Sequence, residues 1–111
     1  MKVVEQDFLD FARDCKWDAS LVAEHDIPEL LSCCNSFTDE CEKAIAKAKR
    51  KKLNLTVLGI PHPSGDEYRG QCLASCGIDF TILFLVTKVL TTNGYRCHVD
   101  LGGKDELSIF W

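Results

Sequence analysis

The sequence predicts a single α+β domain, with a helical first half over residues 1–52 and a β-α-β-β second half over residues 53–111. In the first half, apolar residues recur at the three- and four-residue spacing of amphipathic helices. Residues 95–101 alternate apolar and polar side chains, as a half-buried strand does, and residues 107–111 resume the alternation after Gly102-Gly103. A chain of 111 residues is long enough for one modest core.

Four helices are predicted in the first half. The first covers residues 3–15, where apolar side chains share one face. Residues able to cap a helix precede the second, third and fourth helices: Asp18, Asp26, and Ser36 or Thr38. Pro28 fits the first turn of the third helix, where its missing N–H costs nothing. The fourth helix is expected to run to about Lys51, with its basic residues in the last turn as the helix dipole favours.

The second half predicts three strands and one buried helix. Residues 53–60 read as a central strand, and residues 61–77 as a long loop of a kind that is often functional. Residues 79–92 are apolar on nearly every side and predict a helix capped by Asp79 and stopped by Asn93-Gly94. A right-handed crossover through this helix would make the first two strands parallel. The last strand would then return antiparallel, which gives a small mixed sheet.

The charge of the chain is unevenly distributed. The net charge of −4 argues against a general nucleic-acid binder, which needs excess positive charge. Residues 1–46 hold 11 acidic and 4 basic residues, whereas residues 47–52 carry five positive charges and residues 53–111 a net −2. The basic run could be a nuclear signal or a contact for an anion. We favour the simpler interpretation, a helix C-terminus with favourable dipole charges.

Targeting and cysteine content predict an intracellular, cytoplasmic protein. No apolar signal region follows Met1, and the apolar run 78–90 is too short to span a bilayer and contains Asp79 and Lys88. Seven cysteines without a secretory signal favour reduced, mostly packed thiols over a disulfide framework. The favoured interpretation therefore includes no membrane span and no cofactor.

A structural zinc site is the alternative cofactor hypothesis. Cys72 and Cys76 have C-x3-C spacing, and His62 and Cys97 could complete four ligands. No second paired motif supports it, and Cys97 and His98 fall on opposite faces of a strand. A thiol enzyme, with Cys72 as nucleophile and His62 or His98 as base, is a third hypothesis without a local signature.

A further pattern, mostly in the second half, combines small residues just before the first strand, a Gly-aromatic strand start and a terminal Ile-x-Trp. The residues that carry it are Ala44, Ala48, Leu83, Leu90, Gly94, Tyr95, Val99, Leu107, Ser108, Ile109 and Trp111. This pattern resembles small uncharacterised proteins of large DNA viruses and phages. It covers about half of the chain and includes no catalytic residue. The resemblance implies a virion-associated or host-interacting role.

These observations predict a non-enzymatic structural or interaction protein, such as a minor virion component that packs against larger subunits. The alternatives are a small zinc-stabilised adaptor or host-factor-binding module and, third, a thiol-dependent enzyme. A helix that is apolar all round must be covered on every side, and a three-stranded sheet covers only one. We therefore expect a protein partner or a homo-oligomer. The predicted contact stripe is Phe80, Leu83, Phe84 and Thr87, opposite Ile82, Leu85, Val86 and Val89.

Overall fold

The computed structural model describes residues 1–60, 80–100 and 105–111, which form an α+β architecture. The predicted loop 61–77, the cap Asp79 and the turn Gly102-Gly103 lie outside these residues. The described elements, in chain order, are α1 (Glu5–Asp14), α2 (Ala19–Ala23), α3 (Ile27–Arg50), β1 (Leu55–Gly59), α4 (Phe80–Thr92), β2 (Arg96–Asp100) and β3 (Glu106–Phe110).

Two of the predicted helix caps are confirmed. The backbone N–H of Leu21 donates to the Asp18 carboxylate at 2.8 Å, which starts α2. The N–H of Glu29 donates to the Asp26 carboxylate at 3.3 Å, which starts α3, with Pro28 in its first turn. Each cap satisfies an N–H that the helix itself leaves without a partner.

The prediction of separate third and fourth helices is wrong, because α3 continues from Ile27 to Arg50. The hydroxyl of Thr38 donates to the carbonyl oxygen of Cys34 at 2.8 Å, one turn back within the helix, instead of capping a new one. The buried stripe is also unbroken across the supposed boundary. It consists of Leu30, Cys34, Phe37, Thr38, Cys41, Ile45 and Ala48.

Two helices end in a residue with positive φ that is not glycine. Lys16 has φ 59° after α1, and Lys52 has φ 60° after α3. After α4 the same position is Gly94, with φ 93°, as the predicted Asn93-Gly94 stop requires. There, Gly94 N donates to Thr91 O at 3.0 Å, and Tyr95 N donates to Leu90 O at 3.1 Å.

The sheet is antiparallel throughout, so the predicted mixed sheet is wrong. The strand order is β1-β3-β2, and both outer strands pair antiparallel with β3. β1 and β2 do run in the same direction, but β3 lies between them. The expectation that β1 is central is therefore also wrong. The buried side chains show why: Leu107 and Ile109 of β3 are fully buried, whereas β1 alternates exposed and half-buried residues.

The core lies between the helices and one face of the sheet. On this inner face, Leu107 lies between Leu58 and Val99, and Ile109 lies between Thr56 and Cys97. α3 packs on β1 and α4, and α4 packs on β2 and α1. The N-terminal segment is held to α3 because Val3 N donates to Asn35 Oδ1 at 2.8 Å and Asn35 Nδ2 donates to Val3 O at 3.2 Å. None of the described helices is long and apolar enough to cross a membrane.

Candidate interaction surface

The predicted contact stripe on α4 is divided between the core and the surface. Leu83 is only 7% exposed and belongs to the core, whereas the Phe84 side chain is 61% exposed. Thr87 is half-buried, and its hydroxyl donates to the carbonyl oxygen of Phe84 at 3.0 Å. The backbone of Phe80 begins α4, and its side chain lies outside the description. Phe84 is therefore the one described member of the stripe that can offer a large apolar surface.

The opposite stripe of α4 is buried. Its members are Ile82, Leu85, Val86 and Val89. α3 and β2 cover this side of the helix, and α1 reaches across to contact α4 as well. The N-terminal helices thus supply most of the cover that α4 needs, and Phe84 remains at its outer border.

Phe84 adjoins a row of aromatic rings, named here the aromatic surface: Phe84, Phe11, Trp17 and His25. The Phe84 and Phe11 ring centroids are 5.5 Å apart. Phe11 and Trp17 meet edge to face at 5.4 Å and 82°. Trp17 stacks on His25 at 5.1 Å and 20°. These geometries are the ones that aromatic quadrupoles favour.

The local structure of α1 and α2 holds this row in place. Lys16, with positive φ, turns the chain after α1 so that Trp17 folds back toward Phe11. The fully buried Phe8 lies beneath, 6.0 Å from Trp17 and 5.4 Å from His25 between ring centroids. His25 Nδ1 is 3.0 Å from the carbonyl oxygen of Leu21. A carbonyl can only accept, so Nδ1 carries the proton in this contact.

Two open clefts flank His25. One has a volume of about 510 Å³, and its lining includes Leu9, Ala12, Trp17, Val22 and Ile27. The other, of about 500 Å³, includes Glu5, Asp26, Pro28 and Leu31. His25 and Ile27 line both clefts. A cleft with mainly apolar walls beside half-buried rings can receive an apolar side chain of another molecule.

The surroundings of the aromatic surface are acidic. The exposed acidic side chains around the two clefts and the ends of α2, Asp14, Asp18, Glu24 and Asp26, outnumber the exposed basic ones, Arg13 and Lys16. The basic side chain on the cleft wall, Arg13, is already engaged, with Asp10 at 3.3 Å and with Asp14 at 3.9 Å. The field around the clefts is therefore negative and favours a positively charged ligand.

Of the four predicted zinc ligands, the structure describes only Cys97. Cys97 lies on the inner face of β2, while Cys72, Cys76 and His62 fall outside the described residues. In the part of the chain that is described, no three His, Cys, Asp or Glu side chains gather as metal ligands would. His98 is exposed on the outer face of β2, away from Cys97. The zinc and thiol-enzyme hypotheses stay predictions.

Two thiols have perturbed acidity, the buried Cys41 and the half-buried Cys97. Burial, together with the nearby Cys97, Glu40 and Glu42, raises the pKa of Cys41 to about 12. Burial also raises the pKa of Cys97, and a side-chain hydrogen bond with Thr91 partly opposes that rise. A raised pKa keeps a thiol protonated at neutral pH, and the protonated form is the poor nucleophile. These two side chains therefore suit packing better than catalysis.

The basic run falls at the C-terminus of α3, where the favoured interpretation places it. Lys49 also has a specific contact with the end of the sheet. Its Nζ lies 5.5 Å from the Tyr95 ring centroid and 5.7 Å from that of Trp111. The two rings meet edge to face at 6.1 Å. Lys49 Nζ also donates a hydrogen bond to the Tyr95 hydroxyl at 3.4 Å. Lys49 therefore links α3 to the residues that precede β2 and follow β3, through this hydrogen bond and cation–π contacts.

Comparison with protein families, with curated proteins and with solved structures gives no match to this chain. The resemblance to small viral and phage proteins consequently stays a prediction. A function has to be argued from the chain's own side chains, and among the described ones the aromatic surface is the strongest arrangement.

Proposed function

We propose that this protein is a non-enzymatic interaction protein that binds a partner protein through the aromatic surface. The observation that carries the proposal is the exposed ring of Phe84, which is continuous with Phe11, Trp17 and His25. A mainly apolar cleft borders this row at its other end, where Trp17 and His25 line it. Aromatic side chains beside pockets dominate the binding energy of protein interfaces. A side chain as large and as exposed as Phe84 loses unfavourable contact with water when a partner covers it.

The charge around the clefts selects the kind of partner. Residues 1–46 carry a net charge of −7, from 11 acidic and 4 basic residues. We infer a basic amphipathic segment of a larger protein, with apolar side chains on the rings and Lys or Arg near the acids. Opposite charges on the two proteins speed their encounter, and repulsion between like charges disfavours acidic competitors.

The resemblance to viral and phage proteins suggests a more specific proposal. The protein would be a virion-associated or cytoplasmic component that packs against larger subunits. The zinc-stabilised adaptor is the second candidate, and its ligands would be Cys72, Cys76, His62 and Cys97. Metal analysis of the purified protein separates the two, because structural zinc is retained and its removal by a chelator unfolds the domain. The thiol-dependent enzyme ranks third.

A pair of synthetic peptides tests the proposal. Both have the same leucine pattern of an amphipathic helix, one with lysine and one with glutamate at the polar positions. Trp17 fluorescence in a Trp111→Phe background reports binding, because Trp17 lines the cleft. We expect saturable binding of the lysine peptide and none of the glutamate peptide.

Two alanine variants locate the binding. Phe84→Ala should weaken binding of the lysine peptide about tenfold or more, the scale of an interface hot spot. The matched control is Val57→Ala, which removes an exposed apolar side chain from the sheet on the opposite side of the core. Equal affinity for the two peptides, or equal affinity of the two variants, would overturn the proposal.

A further inference from the structure

We propose that two copies of this chain pair antiparallel through the edge of β1 that no described strand covers, so that their sheets join into one. This association uses a surface separate from the aromatic surface and does not depend on the proposed function. It follows from the direction of the backbone groups of β1, from the side chains beside them, and from the charges at the two ends of the sheet.

The backbone hydrogen bonds fix which residues of β1 face outward. Trp111 N donates to Asn54 O at 3.1 Å, and Ile60 N donates to Asp105 O at 2.8 Å. In both bonds the residue on the β1 side has an even number, Asn54 or Ile60, so the even-numbered residues direct their N–H and C=O groups toward β3. Since residues of an antiparallel strand alternate in the direction of their N–H and C=O groups, the odd positions point away from β3. Leu55, Val57 and Gly59 therefore present N–H and C=O groups at the open edge.

The two edges of the sheet differ in how they are protected. Among the described elements, β1 pairs only with β3. Its exposed side chains are apolar, Leu55 and Val57, and Leu53 just before them is exposed too. The opposite edge, β2, presents Arg96, His98 and Asp100 on the same face. Charged side chains discourage a second strand from pairing, so of the two edges in the described sheet β1 is the one suited to a further strand.

The charges at the ends of the sheet indicate that the second strand comes from another copy. Lys51, Lys52 and Arg96 lie at the end where β1 and β2 begin, and Glu106 and Asp100 lie at the other. A two-fold axis through the edge reverses the second copy, so that its acidic end lies beside the basic end of the first. Parallel pairing would bring like charges together. A two-fold contact of this kind is self-complementary and closed.

The two-fold axis also sets a register that fits the side chains. With Val57 opposite its own copy, Leu55 lies opposite Gly59 of the second chain. No atom lies within 4 Å of where a Gly59 side chain would begin, so the leucine meets open space there. Three outward residues in each strand allow about six backbone hydrogen bonds across the edge.

Sedimentation velocity over a range of protein concentrations tests this pairing. Two short strands bury less than the about 1,200–2,000 Å² of a standard interface, so we expect a concentration-dependent equilibrium between one chain and two. Val57→Lys should abolish the larger species, because it places two positive charges opposite each other. His98→Lys is the matched control, since His98 is in the same row of the sheet at the opposite edge. It should leave the association intact.

A charge pair tests the register. Val57→Glu alone should also sediment as one chain, but an equimolar mixture with Val57→Lys should restore the mass of two, because residue 57 faces residue 57. Val57→Pro gives an independent test: its missing N–H is one that faces away from β3, so the chain's own sheet is retained in circular dichroism while pairing is lost.

The proposal fails if the wild type keeps the mass of one chain at every concentration. It also fails if Val57→Lys associates as well as the wild type, or if the mixture of charged variants stays monomeric. Loss of association in Phe84→Ala with retention in Val57→Lys would assign the contact to the aromatic surface and overturn the β1 pairing.

Discussion

Trp17 and His25 stack with their ring centroids 5.1 Å apart and their planes 20° from parallel, although eight positions separate them in the chain. The short helix α2 lies between them in the chain, so the stack brings the residues before and after α2 into contact. α2 has no fully buried residue, so its position depends on this stack together with the half-buried Val22, which packs against the core.

His25→Ala should therefore destabilise the N-terminal region. We expect a loss of about 0.5–1.5 kcal/mol in the free energy of unfolding, the range for a favourable ring pair. His98→Ala is the matched control, because His98 is exposed and makes no described ring contact. Urea denaturation of both variants measures the difference. Equal midpoints for the two would show that the stack contributes nothing to stability.

A glycine at the end of α1 should stabilise the protein. Lys16 has φ 59°, a conformation that costs a residue with a Cβ atom about 1 kcal/mol and costs glycine almost nothing. We expect Lys16→Gly to raise the free energy of unfolding by about that amount. Lys16→Ala removes the same charge without relieving the backbone, so it should bring no gain. Thermal denaturation of the two variants distinguishes the backbone effect from the charge effect.

The buried thiol of Cys41 should make stability fall at high pH. Its pKa is raised from 9.0 to about 12 in the fold, so between these values the unfolded chain loses a proton that the folded chain keeps. Unfolding then releases a proton and becomes more favourable as the pH rises. Below about pH 9 the thiol is protonated in both states, and it adds no pH dependence there.

Comparison with Cys41→Val isolates this contribution. Lysines and tyrosines titrate in both proteins, so the difference between their free energies of unfolding removes them. We expect this difference to be constant from pH 7 to about 9. Above about pH 9, the free energy of unfolding of the wild type should fall relative to that of Cys41→Val. A difference that stays constant to pH 11 would mean that the Cys41 thiol ionises in the fold as readily as in the unfolded chain.

The sequence predicts the elements of this fold better than their arrangement. Helical spacing, the caps Asp18 and Asp26 and the stop at Gly94 are local signals, and the structure confirms them. The break expected near Thr38 was wrong because a hydroxyl can bond within a helix as well as cap one. Strand order was wrong because it depends on which distant strand lies between two others, and no local pattern records that.

The candidate surface was predicted only in part for the same reason. The apolar pattern of α4 identifies Phe84, but not that Leu83 turns into the core. Phe11, whose ring contacts that of Phe84, lies 73 positions earlier in the chain, so no local pattern predicts this contact. Trp17 and His25 could have been noticed, since they flank a short capped helix, although the spacing alone does not show that their rings meet. The open edge of β1 was hidden by the expectation of a central strand.

The contact between α3 and the end of the sheet should depend on the charge of Lys49. Its Nζ lies within 6 Å of both the Tyr95 and the Trp111 ring centroids, close enough for cation–π attraction. Lys49→Met keeps an apolar stem of similar length and removes the charge. We expect a loss of about 0.5–1 kcal/mol in the free energy of unfolding, as for cation–π contacts at exposed sites.

Lys47→Met provides the control, since Lys47 is exposed in the same helical turn and contacts no described ring. Removing either lysine weakens the favourable charge at the helix C-terminus to a similar extent. The difference between the two variants therefore reports the contacts of Lys49 with the two aromatic side chains, including its hydrogen bond to the Tyr95 hydroxyl. Urea denaturation followed by circular dichroism measures it. If Lys47→Met is destabilised as much as Lys49→Met, the dipole accounts for the whole effect and the two rings add nothing.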